Sequence, residues 1–133
     1  MNDKVKAALA LDKLSLHHRI SFNPTDAYDF LYSTDVIYRE NLSGLIKDID
    51  LLIPTMKFGK GNPSNGKKHH HYLIGRENSR VIYIEIIGSY LDKNFSIGDL
   101  TENIRKLSKF HEADEFTGEA DKDRNVLYRL WWD

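Results

Sequence analysis

Residues 80–91, RVIYIEIIGSYL, constrain the fold more than any other stretch of the chain. On a strand, successive side chains alternate between two faces. Ile82, Ile84 and Ile86 then share one face, and Val81, Tyr83 and Ile87 share the other. Only Glu85 interrupts the apolar run. A strand that is apolar on both sides is one covered on both sides, so Arg80–Leu91 reads as the interior strand of a sheet. Its neighbours are legible too. His69–Arg76 precedes it across Glu77-Asn78-Ser79, which predicts a β-hairpin. A three-residue turn sets His71 opposite Glu85, and a two-residue turn sets Tyr72 there. Arg124–Asp133 alternates Val126, Tyr128, Leu130 and Trp132 against Leu127, Arg129 and Trp131, the pattern of a closing strand. A strand at 111–118 can pair with it, for four or five strands in all.

The rest of the chain supplies helices to cover this sheet. Residues 3–17 carry two narrow apolar stripes, Val5, Leu9 and Leu16 against Ala7, Leu11 and Leu14, which predicts a helix covered on two sides. Arg19–Phe22 is a short strand or connector. Asn23-Pro24-Thr25-Asp26 combines a capping side chain, a proline suited to the first helical position and an early carboxylate. It starts a short helix to about Tyr32, with Tyr28 and Leu31 facing inward. A longer helix follows at 35–53, capped by Ser33 or Thr34 and stopped by Pro54. Its stripe is Tyr38, Leu42, Leu45, Ile46, Ile49, Leu52 and Ile53, with Glu40, Ser43, Lys47 and Asp50 opposite. Ser96 caps a last helix to about Phe110, with Phe95 placed to staple onto Leu100 and a buried stripe of Ile97, Leu100, Ile104 and Leu107. The order α-α-α-β-β-α-β describes an α+β fold. N-terminal helices and a C-terminal helix pack on a small, mainly antiparallel sheet.

With 133 residues the chain is one domain, 1–133, large enough for a core without staples. It is 41% hydrophobic and 29% charged, ordinary proportions for a globular protein. The absence of cysteine removes disulfides, thiol nucleophiles and thiolate metal sites. No stretch approaches the roughly 20 apolar residues of a membrane helix, and the N-terminus lacks a signal-peptide core. The expectation is a cytoplasmic protein with no membrane partner. A net charge of −1 gives no global field toward nucleic acid. The charge is nonetheless segregated: residues 57–80 hold six Lys or Arg and one acid, while residues 112–123, which read as an acidic loop, hold six acids and one Lys.

Several motifs invite a chemical reading. Gly61–Lys68, GNPSNGKK, approaches a phosphate-binding loop. Lys68 stands where a hydroxyl should meet magnesium, no strand precedes the loop, and no helix follows it to present amide N–H groups. A solvated basic loop, or one touching phosphate or an acidic surface, remains. His69-His70-His71 is the sharpest oddity. His69 and His71 share a face, but a metal site needs a further ligand, and none is evident. Under an enzymatic reading His69 or His71 is the general acid or base and Glu85 orients it. Lys67, Lys68, Arg76 and Arg80 lie close enough in sequence to steady a phosphodiester transition state. Asp121–Asn125 imitates the start of a calcium loop, but Val126 replaces the required glycine and Trp132 the bidentate acid. Trp131 and Trp132 must face opposite ways, one into the core and the other to an edge, pocket or interface.

No cofactor or metal is expected. The first functional expectation is a small non-enzymatic binding or inhibitor protein, like an immunity protein or antitoxin, acting through protein–protein contact on a toxin or other effector. Its contact residues are drawn from Lys60, Lys67, Lys68, Arg76, Arg80, Asp114, Glu115, Glu119, Asp121, Trp131 and Trp132. A homo-oligomer is compatible with this reading, and nucleic acid is the less favoured partner. The alternative is a metal-independent phosphodiesterase or RNase using His69, His71 and the Lys/Arg cluster. A third reading starts from Tyr128-Arg129-Leu130-Trp131-Trp132-Asp133. This ending resembles the last strand of NTF2-like (SnoaL-type) cone folds over about ten residues. The resemblance implies helices followed by a curved sheet wrapped around a small-ligand pocket, with Tyr83, Glu85 and a terminal Trp lining it.

Overall fold

The computed structural model describes residues 2–13, 20–33, 39–52, 70–74, 80–91 and 93–132. Five strands, β1 (Ser21–Phe22), β2 (His70–Ile74), β3 (Val81–Ile86), β4 (Glu115–Ala120) and β5 (Val126–Trp131), form one sheet in the order β1-β2-β3-β5-β4. Every neighbouring pair is antiparallel. β3 is the central strand, as its apolar run predicts. Among the described residues four α-helices complete the fold: α1 (Asp3–Lys13), α2 (Pro24–Tyr32), α3 (Arg39–Leu52) and α4 (Ile97–Phe110). The α-α-α-β-β-α-β order is present in an α+β fold. Two strands are added to it, the short β1 and the β4 that pairs with β5 inside the acidic stretch.

The sheet has one buried face. Phe22, Tyr72, Ile74, Ile82, Ile84, Ile86, Val126, Tyr128 and Leu130 join Val5 and Ala8 of α1, Phe30 and Leu31 of α2, Leu42, Leu45, Ile46 and Ile49 of α3, and Leu100 and Ile104 of α4 in one cluster. The expectation that β3 is covered on both sides needs correction. Val81, Tyr83 and Glu85 are only half-buried. They gain that much shelter from cross-strand neighbours, Val81 beside Trp131 and Tyr83 between Leu73 and Arg129. The strand is also shorter than Arg80–Leu91. It stops at Ile86, and Gly88–Tyr90 turns as a 3-10 helix. The backbone at Gly88 presses on the turn between β4 and β5. Its N–H donates to Asn125 Oδ1 at 2.8 Å, and a Cβ there would collide with the Asp123 carbonyl oxygen.

Local chemistry explains the helix ends. Asn23 caps α2 by accepting the Asp26 N–H at 2.9 Å, with Pro24 at the first helical position. Asn2 accepts the Val5 N–H at 2.9 Å and donates to Asp26 Oδ1 at 2.6 Å, which joins the start of α1 to α2. Ser96 caps α4 through the Asp99 N–H at 3.1 Å, and both Phe95 and Leu100 are buried. On α1 the two-stripe expectation fails for Ala7, which is exposed, while Val5 and Ala8 are buried and Leu9 and Leu11 half-buried. On α2 Tyr28 is half-buried, and Phe30, stacked on Phe22 at 5.2 Å between centroids, is the main inward aromatic. Leu14, Leu16, Tyr38, Ile53 and Pro54 and the caps at Thr34 and beyond lie outside the described residues.

Replacing Gly88 by alanine tests the close approach that ends β3. Forcing a methyl group against backbone atoms is expected to lower stability by about 1–3 kcal/mol in urea unfolding. A neutral substitution would mean that the turn yields without cost.

Candidate functional site

The hairpin register settles which residues meet on the outer face. His71 pairs with Glu85 across β2 and β3, the outcome of the longer of the two turns. His71 Nδ1 and Glu85 Oε1 are 4.0 Å apart, beyond direct hydrogen-bond length. Burial lowers the His71 pKa below its ordinary value. The Glu85 carboxylate opposes this, and His70 and Lys4 add to it. A histidine biased toward its neutral form beside a carboxylate is able to accept a proton. Tyr83 and Trp131 lie on the same face. Arg80 is exposed at the start of β3, and its carbonyl accepts the Trp132 N–H at 2.8 Å. His69, Lys60, Lys67, Lys68 and Arg76 lie outside the described residues.

Directly behind His71 is a polar cluster that the sequence reading missed. His70 is 4% exposed, on the core face of β2. Its Nε2 lies 2.9 Å from Asp50 Oδ1 on α3, and the Tyr72 hydroxyl donates to the same oxygen at 2.9 Å. Burial raises the Tyr72 pKa well above the ordinary phenol value, and the Asp50 charge and hydrogen bond raise it further, which keeps the hydroxyl a donor. His70 Nδ1 is buried with no hydrogen-bond partner among the described residues. Burial raises the Tyr28 pKa as well, with Asp50 next in effect. Asp50 therefore does not lie on the solvated side of its helix, as its place in the pattern predicts. It sits at the flank where α3 meets β2. The available signal was parity: His70 has the same inward phase as Tyr72 and Ile74, and an inward histidine needs a polar partner on a packing helix. A second pair, His111 Nε2 with Asp48 Oδ2 at 2.6 Å, ties the end of α4 to α3.

The acidic stretch is an ordered hairpin. β4 is an edge strand, and Asp114, Glu115, Glu119 and Asp121 are exposed along it. Glu115 bonds Arg129 across the pair at 3.2 Å. Asp121 serves its own turn. It accepts from the backbone N–H of Asp123 at 2.8 Å and of Asn125 at 3.0 Å, and from the Asn125 side chain at 3.1 Å. The Asn125 side-chain bond is the main reason its pKa is lowered. That turn accounts for the calcium-loop likeness without an ion. Among the described residues no group of three or more His, Asp or Glu is arranged to hold a metal. At this end of the sheet a depression of about 480 Å³ is lined by Glu85, Ile87, Glu119, Asp121 and Leu127 with neighbouring backbone. Tyr83 and the two tryptophans do not line it. Trp132 is 2% exposed in the core, its indole N–H donating to the His111 carbonyl at 2.9 Å, whereas Trp131 is half-buried on the outer face.

No protein-family model matches the chain, and no curated protein or solved structure matches it. The site must be read from its own chemistry.

Asp50→Ala strips the acceptor from both His70 and Tyr72. With roughly 1–3 kcal/mol for each buried polar group left unpaired, a loss of at least about 2 kcal/mol in chemical denaturation is expected. An NMR titration of His71 should give a midpoint below about 6.5. The unfolded chain then binds the proton more readily, so this residue's contribution to stability is lost as pH falls from 7 through the folded midpoint. His71→Gln should flatten that part of the stability profile. A midpoint above 6.5 would mean that the pull of Glu85 outweighs burial.

Proposed function

We propose that this chain is a small non-enzymatic binding protein of the immunity-protein or antitoxin kind. It acts by laying its acidic β4–β5 hairpin against a basic surface on a toxin or other effector. The observation that carries the reading is the ordering of the acidic stretch. Asp114, Glu115 and Glu119 project from an edge strand whose geometry is fixed by pairing with β5, and Asp121 fixes the turn beside them. A rigid acidic edge presents its charges without ordering a loop on binding, which spares conformational entropy. Two such edges repel one another, so the same charges oppose self-pairing through β4. A partner whose own task is to hold nucleic acid offers the complementary basic surface.

The His71–Glu85 register favours one second reading, a metal-independent RNase with His71 as general base and Glu85 orienting it. Loss of RNA cleavage in His71→Ala, with the fold intact, supports that role. Full cleavage by the variant excludes it.

The binding reading is tested with the proteins encoded beside this gene, each mixed with the purified chain and followed by calorimetry and surface-based kinetics. One of them is expected to form a stable complex and raise the melting temperature. In the double variant Glu115→Lys and Glu119→Lys, association should slow by about tenfold or more, with weaker salt dependence. The fold should survive, because the exposed Glu115–Arg129 pair contributes only about 0–1 kcal/mol. Binding that ignores this charge reversal, or no complex with any neighbouring product, counts against the proposal.

A further inference from the structure

We propose that the chain forms a two-fold homodimer through the groove between α3 and α4. The two helices run antiparallel. The Asn41 side chain donates to the His111 carbonyl at 3.0 Å and His111 reaches Asp48, so the end of α4 lies beside residues 41–48 of α3, while Asn103, earlier on α4, lines one groove with Leu51 and Leu52 at the end of α3. Gly44 admits the approach: a Cβ there would meet His111 Cε1 at 3.0 Å. Between the helices lies an open groove of about 550 Å³ lined chiefly by Leu51, Leu52, Leu107 and Phe110, with Asp48 on one wall and Lys106 on the other.

Two observations point to a second copy as its occupant. The first is apolar side-chain surface left largely exposed among the described residues, although Phe110 meets the His111 ring edge-on. Phe110 is 75% exposed and Leu51 is 65% exposed, the one on α4 and the other on α3. Each stands beside the hollow, so one copy carries both a knob and the hole to receive it. The second is the distribution of charge. A two-fold axis along the groove sets α3 of each copy over α4 of the other, and every contact occurs twice. The acid is on the α3 wall and the base on the α4 wall, so each Lys106 then faces the Asp48 of the other copy. Each Phe110 enters the other copy's groove against Leu51 and Leu107. The acidic hairpin contributes no residue to this groove, so the inference does not depend on the proposed function.

Sedimentation equilibrium of the full chain tests the dimer directly, over a concentration series from about 1 to about 100 μM, which spans association free energies of roughly 5.5–8 kcal/mol. Twice the monomer mass is expected. Phe110→Glu and Leu51→Glu are each expected to give a folded monomer, since neither side chain is in the core, and its melting temperature, unlike the wild type's, should not rise with protein concentration. Lys106→Glu, which sets like charges against Asp48, should raise the dissociation constant about tenfold or more. If Phe110→Glu does not fold, Phe110→Ser provides the same reading without the added charge. Three results would overturn the proposal: a wild-type monomer throughout the series, a dimer that survives the Phe110 and Leu51 substitutions, or assembly beyond the dimer.

Discussion

The inner face of the sheet is the surface on which the other elements depend. Strands β2, β3 and β5 give alternate side chains to it, and the interior positions are among the most apolar in the chain: Tyr72 and Ile74, then Ile82, Ile84 and Ile86, then Tyr128 and Leu130. Removing such side chains from water yields roughly 1.5–3 kcal/mol apiece, against an entropy cost of similar total size. The layer therefore has to be closed without gaps. The four helices supply Val5, Phe30, Ile46 and Leu100 with their neighbours to close it. The polar groups caught in this layer are tied to helices. Tyr72 and His70 reach Asp50 on α3, and Tyr128 shares a 2.7 Å hydrogen bond with Thr101 on α4. These bonds set where the helices lie over the strands, a choice that apolar contact alone leaves loose.

The sequence made this layer legible because its period is strict. The alternation in Val126–Trp132 required the two tryptophans to face opposite ways, and the structure puts Trp132 in the core and Trp131 on the outer face. The capping residues Asn23 and Ser96 were legible for a local reason, since a side-chain oxygen two or three residues ahead of a free N–H needs no knowledge of the fold. Longer-range features were not. Nothing near Ile87 in the chain announces that the Asp123–Arg124 backbone will block Gly88, so the apolar run overstated β3. Nor does composition distinguish an acidic loop from an acidic edge strand. Phe116 is the residue that commits 115–120 to the sheet. It stacks on Tyr128 at 5.7 Å, with the Arg105 guanidinium 6.0 Å from its ring centroid. Asp50 was misassigned because it sits on the margin of its helical stripe, where solvent and a neighbouring strand are equally near in a helical projection.

The outer face follows other rules. Its rows mix aliphatic, aromatic and charged side chains: Leu73, Tyr83 and Arg129 in one, His71, Glu85, Leu127 and Glu119 in the next. Such a surface is compatible with solvent and with a partner. Charge changes along it, with acids dominating at the β4 edge and His71 at the β2 side. The side chains on this face contribute little to the core, so substitutions there change recognition more readily than folding.

The pairing of β3 with β5 has a kinetic meaning. The β2–β3 and β4–β5 hairpins each join neighbours in sequence and close short loops. Only the β3–β5 ladder, running from Val81↔Trp131 to Ile86↔Val126, welds the two halves of the sheet, and it encloses α4 within its loop. Closing that loop costs more chain entropy than either hairpin and brings no reward until its apolar pairs meet. The two-residue β1–β2 pairing closes a longer loop still, so among the ladders of more than two pairs the weld carries the highest closure cost. Until it forms, Ile82, Ile84 and Ile86 have an unpaired strand edge beside them, so this stretch is the one most in need of rapid closure during synthesis.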